Sequence, residues 1–301
     1  MRLIYLLLFL ACRPSGAEPI EATTTLDEAV APVLPSHDTV PQGLRYAWLE
    51  SATEGVSTVA TTVAPPVGFV RMPLAKGSFE EWLRYLPLAS EGTPVRYYNG
   101  AVKPDQGGAY RVLDIDVGKR DLQQCADAVM RLRAEYLYSK SRYADVHFNH
   151  TSGHTVGFED WSFGRKPSVS GNSVTISPRN TSEPDTSYRN FRAYLTQIFN
   201  YAGTASLTKE LMAADISNAQ AGDVFIQGGF PGHAVIVVDV AKSTDGRQAI
   251  LLAQSYMPAQ SIHILTNPTD PDSSPWYIVD ETLETLYTPD WTFRVEDLRR
   301  F

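Results

Sequence analysis

Three residues far apart in the chain carry side chains suited to thiol chemistry. They are Cys125 in "DLQQCADAVM", His233 at the head of "HAVIVVDVA" and Gln254 in "LLAQSY". A thiol attacks as its thiolate, and the positive end of a helix dipole favours that form. A nearby histidine serves as base, and a third polar group orients its ring. Cys125 is expected in the first turn or two of a helix capped by Asp121, with backbone N–H groups and Gln124 as an oxyanion hole. The opposing reading is an inert cysteine on the apolar face of that helix, since free cysteine is among the most buried residue types.

Other residues offer weaker chemistry. "HFNHTSGH" presents His147, His150 and His154, but strand geometry turns the first two to opposite faces, so no metal site is expected. Asp114 and Asp116 share a strand face and read as solvated. Asp127 reads as electrostatic support for the first helical turns. Trp161 and Arg165 in "WSFGRKP" could line a ligand cleft or simply anchor a loop.

The elements that must position these residues are legible from periodicity. Ser78 caps a helix carrying Phe79, Trp82, Leu83 and Leu86. Leu122, Cys125, Ala126, Val129, Leu132, Tyr136 and Leu137 recur at helical spacing. "YRNFRAYLTQIFNYAG" predicts another helix, and "SLTKELMAADI" a shorter one capped by Ser206 or Thr208. "VRYYNG", "YRVLDIDV", "ADVHFN", "DVFIQ", "HAVIVVDVA", "AILLAQSYM" and "WYIVD" read as strands, and polar residues 164–186 as loop. Asp245-Gly246 signals a hairpin. A turn centred there puts His233 and Gln254 on one face, offset along the ladder; a longer loop or a bulge would bring them opposite. Helices come early and strands late, which is α+β segregation.

Composition excludes some roles. The 301 residues carry a formal net charge of -8, which disfavours nucleic acid, and no polybasic membrane patch is present. "MRLIYLLLFLACRPSGAE" reads as a signal segment over residues 1–17. "FLAC" resembles a lipobox with Cys12 as the lipidation site, and "SGA" offers ordinary cleavage instead. Either predicts export, to the periplasm or the cell surface. With Cys12 lipidated or removed, Cys125 has no disulfide partner. Residues 18–60, rich in Thr, Pro and Ala, read as a flexible tether, and residues 61–301 as the folded domain.

"GSFEEWLRYLPL", "QQCADAVMRLRAEYLY", "HFNHTSG", "GDVFIQGGFPGHAVIVVDVA", "AQSYMPAQSIHIL" and "DWTFRVEDLRRF" together resemble a bacterial family known as domain of unknown function 4846, over about residues 67–301. That resemblance implies an exported lipoprotein and no activity. Cys125 and residues 222–260 also resemble the NlpC-type papain-like cell-wall amidases. There a helix-start Cys is followed by a His opening a strand after a Gly-Asp turn, then a polar residue on the next strand. This second resemblance implies a papain-like core, with Cys125 as nucleophile, His233 as base and Gln254 as orienter. The stretch between Cys125 and His233 is long for such an amidase, and a helical insertion over 188–216 accounts for it. The expected function is a thiol amidase or peptidase without cofactor or metal, with cell-wall peptide or another envelope component as partner. Contact with the membrane would be through an N-terminal lipid only. The alternative is a non-catalytic envelope lipoprotein that binds a peptide or glycan.

Overall fold

The centre of the molecule is a strand buried on both faces. In His233–Ser243 the run from Ala234 to Val238 is uninterruptedly apolar, and the first nine residues of the strand are sealed from solvent. Continuous rather than alternating hydrophobicity is what a strand covered on two sides requires. Ala234, Ile236 and Val238 join a core built with the helices, and Val235, Val237 and Val240 face a second, smaller core. The computed structural model describes residues 41, 43–49, 56–171 and 173–301. The signal segment and Cys12 lie outside the described residues.

This strand sits in a nine-stranded sheet whose described pairs are all antiparallel. Its neighbours are Val224–Gln227 on one side and Gln248–Gln254 on the other. Beyond these lie Leu298–Arg300 and Met212–Ala213 in one direction, and His263–Leu265 and Ala109–Val112 in the other. Phe69–Arg71 and Trp276–Val279 pair with the far halves of the two central strands. The fold is mixed helix and antiparallel sheet. Among the described residues no helix is long and apolar enough to cross a membrane.

The register of the central hairpin decides what meets at its open end. Ser243 donates its N–H to Arg247 (3.0 Å), which leaves a three-residue loop with Gly246 at φ +92°. Pairing runs from Lys242↔Gln248 to Asp239↔Leu251, then resumes at Val237↔Leu252. Val238 is therefore an extra residue, a bulge. Without it Gln254 would oppose Ile236 and face away from His233. With it Gln254 continues opposite Val235, diagonal to His233 and on the same face.

The Cys125–Ser139 helix packs on the histidine strand and is buried nearly all round, including Arg131 and Glu135. It is thus a central helix, and not the one-faced helix that its apolar spacing predicts. Arg131 makes this tolerable by donating to Glu135, Gln123 and Asp116, and Arg192 braces Asp116 from the Tyr188–Tyr201 helix. Burial opposes ionisation of Asp116, but the two guanidinium groups hold its carboxyl down at about 2. Gly222, at φ +95°, turns the chain into Val224–Gln227; a Cβ there would meet the Phe79 ring at 2.9 Å.

Several local expectations are corrected by tertiary context. Residues 43–49, assigned to the tether, pack into the core: Leu44 and Tyr46 are buried, and the Tyr46 hydroxyl donates to the Trp82 carbonyl (2.9 Å). Val59–Thr62, which straddles the boundary assigned between tether and domain, is a short helix capped by Thr58. "VRYYNG" makes only isolated bridges, Arg96↔Val102 and Tyr97↔Gln260. The third helix starts at Thr204 after Gly203, and not at Ser206 or Thr208. The polar stretch 164–186 contains an outlying ribbon, Pro167–Ser170 with Ser173–Ile176. The tail contributes a sheet strand, Leu298–Arg300, to the smaller core.

Candidate active site

Cys125 is the first residue of its helix, with Gln124 as N-cap. Asp121 is not the cap. Its carboxylate accepts from the backbone N–H of Ala259 (2.7 Å) and from the Gln124 side chain (3.1 Å), so it ties the cysteine turn to the loop after Gln254. Ser255 adds a second tie by donating to the Gln123 carbonyl (2.9 Å). Asp127 accepts from the Gln124 backbone N–H (3.0 Å), but burial pushes its carboxyl well above the usual carboxylate range, so it supports the helix start by this hydrogen bond and not by the charge expected of it.

The histidine strand reaches the same place from the other side. It follows the loop "QGGFPG", whose Gly232 fits where no side chain could. A Cβ there would lie 2.6 Å from the Thr204 hydroxyl and 2.7 Å from two carbonyl oxygens. Cys125 and His233 line one cavity of about 690 Å³, together with Gln124, Asp127, Tyr256 and Trp291. Cys125 is half-buried, so it opens to this cavity and is not sealed in the core. Among the described residues no hydrogen bond joins its sulfur to the imidazole.

The imidazole is instead held from behind. Asp290 Oδ2 accepts from Gln254 Nε2 (2.6 Å), which turns Gln254 Oε1 toward His233 Nε2 at 2.8 Å. An amide oxygen only accepts, so Nε2 carries the proton and Nδ1 is the basic nitrogen. Tyr256, Trp291 and Phe293 pack around the ring, with centroids 4.8, 5.5 and 5.9 Å away. Lys103 Nζ lies 3.8 Å from Asp290 Oδ2. Beside this chain His263 is fully buried opposite Gln254 and bonded through Nδ1 to the Ser261 carbonyl (2.9 Å). Burial holds His263 down at about 4, so it is neutral.

The electrostatics correct the expectation of a ready thiolate. Burial, and then the Asp127 carboxyl, push Cys125 up to about 11, although N–H groups of Ala126, Ala234 and Cys125 pull the other way. Desolvation outweighs the helix terminus here. Burial likewise pulls His233 down to about 4, against Gln254 and Asp290. At neutral pH the pair is therefore thiol and neutral imidazole. Alkylation of Cys125 by iodoacetamide should climb about tenfold per pH unit towards the thiol's own pKa. A rate already level below pH 8 would show a preformed thiolate and overturn this description.

The remaining sequence candidates lie elsewhere. Trp161 and Arg165 do not line the cavity: Trp161 is buried and donates to Asn190 (3.0 Å), and Arg165 pairs with Asp160 (3.1 Å). They anchor the loop. Of the three histidines, His147 is exposed and His150 is buried beside Tyr201. Among the described residues no group of three or more His, Cys, Asp or Glu is placed to hold a metal. Asp290, Tyr256, Trp291 and His263 escaped the sequence reading. Asp290 is one acid of a Pro-Asp turn, and nothing local distinguishes it.

A family model described as a domain of unknown function (4846) matches residues 59–300. No curated protein matches the chain, and no solved structure does.

Proposed function

For a chain that belongs to the domain of unknown function 4846 family, we propose the function of a thiol hydrolase that cleaves an amide bond. One observation carries the reading: a helix-start cysteine shares a cavity with a histidine whose ring is fixed by Gln254 and Asp290. His233 Nδ1 takes the thiol proton as Sγ attacks the carbonyl carbon. The C=O electron pair moves to oxygen, where backbone N–H groups at the helix start receive the charge. Collapse re-forms C=O and breaks the C–N bond. The imidazolium returns its proton to the leaving amine, and a thioester remains. Water then attacks the thioester carbon as His233 takes its proton, the C–S bond breaks, and the acid departs from the thiolate. The sulfur recovers the proton.

Neutral reactants suit this order of events, because the thiol loses its proton only as attack occurs. The competing function is a non-catalytic binder of peptide or glycan, and the high thiol pKa favours it. The envelope location rests on the N-terminal sequence alone. The test is a panel of peptide and acyl amides, followed by mass spectrometry. The expected result is cleavage by the native chain, an acyl adduct on Cys125, and neither with Cys125→Ala. Cleavage that survives Cys125→Ala, or no cleavage and no adduct across the panel, removes the hydrolase.

A further inference from the structure

Two loops frame the cavity, and each ends in an apolar side chain standing in water. Phe230, in the loop before the histidine strand, is 95% exposed, and Met257, in the loop after Gln254, is 55% exposed. Both line the cavity with Cys125. Neither adds to the core, and large apolar groups concentrated at the rim of a pocket mark a contact surface. The walls continue the theme with Leu122, Phe199 and Pro231.

Charge points the same way. The cavity residues include Asp121 and Asp127 and no lysine or arginine. Asp121 Oδ1 is occupied by Ala259 and Gln124, whereas burial pushes the Asp127 carboxyl well above the usual carboxylate range, so Asp121 is the acid that faces the rim. A ligand carboxylate entering here would lose its water, find no cation, and meet an acid at the rim. Burying an unpaired charge is among the costliest things a site can do.

We propose that the cavity selects an amide substrate with a large apolar side chain next to the scissile bond and no carboxylate there. This rests on the thiol-hydrolase reading and narrows it, away from acid-rich cell-wall peptides. The experiment uses three reagents on the full chain: the chloromethyl ketones of acetyl-phenylalanine and acetyl-glutamate, and iodoacetamide, all at pH 8.5. In each case Sγ forms a bond to carbon and expels halide. Peptide mapping separates Cys125 from Cys12, the other thiol. After division by rates with free cysteine, the phenylalanyl reagent should alkylate Cys125 roughly 10–100-fold faster than the glutamyl one, the range one apolar contact can supply. Phe230→Ser combined with Met257→Ser should lower the phenylalanyl rate about tenfold and leave the iodoacetamide rate unchanged. Equal normalised rates, or a double variant without effect, overturn the selectivity and leave the thiol reading standing. No modification of Cys125 by any of the three overturns both.

Discussion

Replacing His233 with alanine should lower amide hydrolysis by roughly 10²–10⁴-fold, the range a positioned general base contributes. The loss should fall on kcat more than on KM, because the imidazole acts in the transition state. The side chain is buried against Tyr256, Trp291 and Phe293, so the variant should also lose about 1–3 kcal/mol of stability. Gln254→Ala separates the two effects. It keeps the ring but removes the acceptor that fixes its tautomer, and Asp290→Asn weakens the same hold one step back. Activity should fall in the order His233→Ala, Gln254→Ala, Asp290→Asn. The pH profile gives a second readout. His233 is a base only when neutral, and its pKa is depressed to about 4, so activity should hold at neutral pH and fail as pH drops through about 4. Removing Gln254, which favours the charged ring, should move that limb lower still. Wild-type activity that fails near pH 6.5, or Gln254→Ala as active as wild type, would show that His233 is not the held base described.

Asp239→Ala should be the most damaging change away from the cavity, at about 3–5 kcal/mol, the usual loss when one partner of a buried ion pair is removed. Asp239 is fully buried at the bulge. Its carboxylate accepts from Arg71 Nε (2.5 Å) and Arg84 Nε (2.7 Å), and from the Val240 N–H (2.9 Å). Alanine leaves both guanidinium groups, which are also largely buried, without their anion. It also frees the bulge that sets the face of Gln254. Urea unfolding should give a much lower midpoint, with Asp239→Asn intermediate because the amide keeps one acceptor. A loss below about 1 kcal/mol would mean that the two arginines find other partners. Whatever Asp239→Ala protein stays folded should show a disturbed Cys125 site, since the register of the hairpin controls His233 and Gln254 together.

The sequence by itself determined the local elements and the cast of reactive residues. The run of β-branched residues after His233 predicts a strand, and the three- and four-residue recurrence around Cys125 predicts a helix. Both signals arise between neighbours a few positions apart, so both are readable without a fold. The Gly-Asp turn, the hairpin loop and the order Cys, His, Gln are local or linear facts of the same kind. Tertiary structure decided what these residues can do. One extra residue at Val238 turns Gln254 to the face of His233, and no propensity marks it, because a bulge answers to partners such as Arg71 and Arg84 across the core. Asp290 joins the chain only because the last hairpin folds back over the sheet. The helix start at Cys125 predicts a thiolate, whereas burial by distant segments makes a thiol. Dipoles act over one helical turn and can be read locally. Desolvation depends on everything that packs nearby, and here it outweighs the dipole.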